Sequence, residues 1–142
     1  MIRKLSRFLV LSSAQRLFLL RCLLVVSAVR IGLTFLSYNW LRRRVVAMNA
    51  LMPADPGELR RLAWGITVAS RFVPRASCLT QALAGQYILA SNGKASTIRI
   101  GVERGTGNEL RAHAWLMSGD SIVLGGRAQS LARFTHLIDY GH

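Results

Sequence analysis

The sequence predicts an α+β fold: a helical N-terminal half, then a buried helix headed by Cys78, packed on an antiparallel sheet of about three strands. Two observations predict it. Helical patterning runs from about residue 13 to residue 91, broken at "MPADPGEL", and ends at Asn92-Gly93. From residue 96 the apolar period drops to two, the spacing of half-buried strands, with turn residues between the runs. Helices followed by a strand meander are the order of an α+β domain. A chain of 142 residues suits one domain with a real core, and 51% hydrophobic content argues against disorder.

Each element has a local cause. Residues 13–36 form a long apolar and basic helix, opened by Ser12 or Ser13 as a cap. Residues 38–51 form a second, with Arg42, Arg43 and Arg44 on its wet side. Two prolines and a glycine in "MPADPGEL" break the pattern. Asp55-Pro56 starts a third helix, which runs to about residue 72 and stops before Pro74. Residues 78–91 are apolar almost all round, so that helix is expected inside, with Ser77 as its N-cap and Asn92-Gly93 as a left-handed end. In residues 96–103, Ile98, Ile100 and Val102 share one face. In 110–117, Leu110, Ala112, Ala114 and Leu116 alternate with Arg111, His113, Trp115 and Met117. "SGD" at 118–120 turns the chain into a returning strand, 121–126. We divide the chain at residue 55 into a basic helical segment (1–55) and the core (56–142), both within one compact unit.

Charge is unevenly placed. The net charge is +13, and the first 75 residues carry +11 of it, with no acid before Asp55. Such a surface suits nucleic acid, an anionic membrane or an acidic protein. Nucleic acid is the weakest fit, because no zinc-finger, RNA-binding or basic-zipper pattern is present. Two cysteines, Cys22 and Cys78, make no disulfide framework and suit a reduced, cytoplasmic setting. No Cys/His cluster has metal-ligand spacing, and no cofactor motif is recognised. Residues 17–36 are apolar enough to suggest a signal or a span, but Arg21 and Arg30 leave only eight uncharged residues between them. The stretch reads as a packed soluble helix, with peripheral membrane contact through residues 13–36 and a true span as alternatives.

Cys78 and His113 carry the chemistry. A thiol at the head of a helix meets unpaired N–H groups and the positive dipole end, which favour an anion and can hold an oxyanion. His113 stands mid-strand and supplies a base if the fold brings the two together, which happens if the helix packs on the His face. A buried cysteine and a structural histidine are the bland readings of each residue alone. A third group, orienting the imidazole, belongs near Gly125 on the returning strand, where there is no acid. Asp120 is the nearest acid on that hairpin, about 13 Å along the strand, and it doubles as an ordinary turn former. Asp139 lies in an unassigned tail. Gln81 is a candidate oxyanion donor or a surface residue. Trp40, Trp64 and Trp115 read as packing, with Trp115 a candidate wall of the site, and Cys22 as a buried small hydrophobe.

The run "SCLTQALAGQYIL…ASTIRIGV…LRAHAWL…IVLGG" resembles the transglutaminase-like domain of lasso-peptide B proteins, the microcin-processing cysteine peptidases. The upstream "RLAWGITVASRFVPRASCL" is similar as well. The resemblance implies a transglutaminase- or papain-like core and a peptidase that removes the leader from a precursor peptide before a partner cyclase closes the ring. It implies Cys78 as nucleophile and His113 as general base; Asp120 is a candidate third member only by its place on the hairpin. The family's acid often sits where this chain has "IVLGG", a departure that keeps a catalytically degenerate scaffold in play. The resemblance also implies a separate small leader-binding protein and a lasso cyclase as partners.

Overall fold

A computed structural model describes residues 2–48, 50–104, 107, 109–125 and 135–141. Among the described residues, five helices precede four strands: α1 (Ile2–Val10), α2 (Ser13–Phe35), α3 (Tyr38–Val46), α4 (Pro56–Ser70), α5 (Cys78–Ser91), β1 (Thr97–Arg104), β2 (Leu110–Ser118), β3 (Ser121–Leu124) and β4 (Thr135–Gly141). The fold is α+β.

The caps explain the helix ends. Ser12 and Gln15 form a reciprocal capping box at the start of α2, and Asp55 and Glu58 form another at α4, with Pro56 in the first turn. At the end of α5, Gly93 takes φ +75°, the Gly93 N–H donates to Ala90 O and the Lys94 N–H donates to Leu89 O. This is a Schellman closure, as Asn92-Gly93 predicts. The helix expected over 38–51 is shorter, ending at Val46. Residues 2–10, unassigned from sequence, form a separate helix.

The strands form one sheet in the order β3-β2-β1-β4. The three-strand meander β1-β2-β3 is antiparallel throughout, with Gly101 opposite His113 and Ile98 opposite Leu116. The tail adds a fourth strand on the far edge: β4 pairs antiparallel with β1, placing Asp139 opposite Arg99 and His136 opposite Gly101. Asp139 is therefore on the opposite side of β1 from β2 and β3.

One core joins both halves of the chain. Cys22, Val26 and Val29 of α2 pack with Leu62 and Ile66 of α4, with Ala82, Leu83 and Ile88 of α5, and with Ile98, Ala114 and Leu116 of the sheet. Residues from both sides of position 55 share this core. Close helix approach depends on glycine. A Cβ at Gly65 would lie 2.7 Å from Cys22 Sγ, and one at Gly85 would lie 2.7 Å from Leu116 Cδ2. α5 thus covers the Ala114–Leu116 face of β2. Trp115 and Met117 are buried on the other face, outside that cluster.

Candidate active site

Ser77 caps α5: its Oγ accepts from the Thr80 N–H and lies 3.1 Å from Thr80 Oγ1. The Gln81 N–H donates to Ser77 O. Cys78 is then the first residue of the helix, and the N–H groups of Cys78 and Leu79 have no acceptor within it. Those donors and the positive helix end favour negative charge at the thiol or beside it. The approach to Cys78 is bent at Arg75, whose φ of 59° is left-handed. For a residue with a Cβ that conformation costs on the order of 1 kcal/mol.

The half-buried Cys78 and His113 line one pocket of about 380 Å³ with Thr67, Gln81, Val123, Leu124 and Gly125. It forms where the sheet opens. β3 pairs with β2 only as far as Leu124 opposite Leu116, with a register shift between Leu116 and Met117. At Gly125 the chain turns with φ +107°. His113, three residues before Leu116 on β2, faces that opening.

This geometry corrects one expectation. α5 does not pack on the His face of β2, because its contacts are with Leu116 and Leu124. His113 shares the opposite face with Trp115, and the two rings meet edge to face with centroids 4.5 Å apart. The imidazole reaches the pocket at the strand's open edge, where its Nε2 lies 2.6 Å from Gly125 O. A carbonyl only accepts, so Nε2 carries the proton and the basic lone pair of the neutral ring is on Nδ1. Trp115 is fully buried and acts as a wall behind the histidine, outside the pocket lining.

Asp120 is exposed in the two-residue turn between β2 and β3 and is not among the described residues that line the pocket. No carboxylate is among them. What occupies the orienting position is the main chain of Gly125. A Cβ there would lie 2.7 Å from Ala114 O and 3.0 Å from Trp115 Cα, both backbone atoms. The left-handed φ and this close approach both require glycine. Sequence reading finds the missing acid at this position but not the carbonyl, since every residue carries one.

Gln81, one turn beyond Cys78, lines the same pocket, and its Nε2 donates to Ala76 O at 3.4 Å. Thr67, an exposed residue of α4, was not singled out by motif and joins the lining because α4 runs beside β3. Cys22 is a different kind of cysteine. It is fully buried, and burial pushes its thiol up to about 11 against the partial opposition of Arg21 and Arg61. That is the inert, packed thiol expected from its place in an apolar helix.

No curated protein and no solved structure matches the chain. A family model, that of the transglutaminase-like superfamily, matches residues 23–139, and the chain belongs to that superfamily.

Proposed function

We propose that the protein is a cysteine peptidase that removes the leader from a lasso-peptide precursor, acting before a partner cyclase. The observation that carries this reading is the shared pocket of Cys78 and His113, with the imidazole held by Gly125 O. His113 Nδ1 takes the thiol proton as Cys78 Sγ attacks the scissile carbonyl carbon. The oxyanion that forms is held by the helix-head N–H groups, with the Gln81 amide within the same pocket. His113 then returns the proton to the leaving amine, and water releases the leader acid from the thioester. The resemblance of the "SCLTQAL" and "RAHAWL" segments to lasso-peptide B proteins supports the substrate, a separate leader-binding protein and the cyclase as partners.

The test is cleavage of the cognate precursor, read by mass spectrometry, with the leader-binding protein present. Wild type is expected to cut between leader and core. Cys78→Ala and His113→Ala are expected to lose at least about a thousandfold in rate. Equal cutting by Cys78→Ala would overturn the reading.

A second reading has one observation in its favour: no carboxylate is among the described residues lining the pocket. On that reading the chain is a degenerate scaffold of the same maturation complex. Wild type and Cys78→Ala would then support maturation equally.

A further inference from the structure

The outer face of α2 is apolar and faces away from the core. Leu19, Cys22, Val26, Val29 and Gly32 are buried against the rest of the domain. The helix wheel puts Leu17, Leu24, Ile31 and Phe35 on the side opposite those residues. They are 68%, 72%, 59% and 82% exposed, and Leu20 beside them is 45% exposed. The stripe from Leu17 to Phe35 is about 27 Å long at 1.5 Å per residue. Leu9 and Val10, at the end of α1, are exposed beyond its N-terminal end. Isolated exposed leucines need no explanation, but a continuous stripe of this length marks a contact surface.

Charge identifies the occupant. Arg7 on α1, Arg16, Arg21 and Arg30 on α2, and Arg43 and Arg44 on α3 are basic residues of these helices, and no acid precedes Asp55. Arg16 is held beside the α1–α2 junction by Leu9 O and Leu11 O, and Arg21 is held by Ser91 Oγ. On α3, Arg44 stacks over the half-exposed Trp40 ring at 4.7 Å, an aromatic and cation pair suited to a headgroup layer. A second copy is disfavoured by the +13 charge that each chain brings.

We propose that α2 lies flat on an anionic lipid surface, with its outer face in the acyl boundary and the flanking arginines on the headgroups. α2 has the length and apolar composition of a span. Its inner face is nonetheless committed to α4, where Gly65 sits against Phe18 and Cys22. Spanning would carry α4, with Arg60 and Arg61, into the hydrocarbon or strip that face bare. Lying in the interface keeps both faces satisfied. The inference is independent of the chemistry at Cys78.

The test is flotation of the full-length protein with vesicles of phosphatidylcholine alone, or of phosphatidylcholine and phosphatidylglycerol at about 3:1. Binding to the anionic vesicles is expected to be at least about tenfold tighter and to weaken as salt rises. Leu24→Glu with Ile31→Glu changes two exposed positions and is expected to lower binding at least about tenfold while leaving the circular dichroism spectrum unchanged. No binding to anionic vesicles, or equal binding by the double variant, overturns the proposal. So does a stoichiometric dimer in light scattering that the same double variant abolishes and that vesicles do not compete away.

Discussion

His113 Nε2 is 2.6 Å from the carbonyl oxygen of Gly125. A main-chain carbonyl fixes the tautomer and the ring plane as a carboxylate would, but it brings no full negative charge to stabilise an imidazolium.

Gly125 is therefore expected to resist substitution. In Gly125→Ala the new methyl meets Ala114 O and the backbone of Trp115, so the carbonyl must move. We expect kcat to fall by about ten- to a hundredfold, at a stability cost on the order of 1–3 kcal/mol. KM should change little. Gly125→Asp should be no better, because its Cβ needs the same space. Steady-state kinetics and thermal melts of both variants check this, and full wild-type activity in Gly125→Asp would contradict it.

Asp120 is exposed in the β2–β3 turn. Asp120→Ala should leave the cleavage rate within about twofold and stability within about 0.5 kcal/mol, as for an ordinary surface change. A loss of about a hundredfold or more in the precursor assay would restore Asp120 as a member of the site.

The two cysteines should separate cleanly by alkylation. Cys78 is half-buried on a pocket, whereas Cys22 is fully buried. Iodoacetamide on the native protein at about pH 7.5 should give one adduct, mapped to Cys78, and in denaturant two. Modification of Cys22 in the native protein would contradict the packing described.

Cys22 also predicts an alkaline weakness. Its folded-state value is raised from 9.0 to about 11 by burial. Above pH 9 the unfolded chain releases this proton and the folded chain does not, so stability is full below 9 and falls as pH rises towards 11. The loss is on the order of 2–3 kcal/mol. Cys22→Ala should flatten that part of the stability curve in denaturant titrations across about pH 8–11, and an unchanged slope would remove Cys22 as its cause.

The parts legible in the sequence were those with a local cause. Ser77 before an all-apolar run marks the start of α5, and the alternation of Ala112, Ala114 and Leu116 marks β2. What was not legible depends on tertiary placement. Residues 135–141 become a strand by pairing with β1. The face of β2 that α5 covers is set by the room that Gly85 leaves beside Leu116. The partner of His113 is a backbone atom, which no side-chain pattern reveals.

The pocket also has a birth order. Its lining runs from Thr67 to Gly125, and α5 stands between α2 and the sheet. A ribosome at roughly 5–20 residues per second delivers Cys78 about 2–7 seconds before His113. During that interval the nascent chain holds Cys78 without His113, and the apolar flank of α5 waits for strands not yet made. The lining of the pocket is therefore complete only once the chain has passed Gly125.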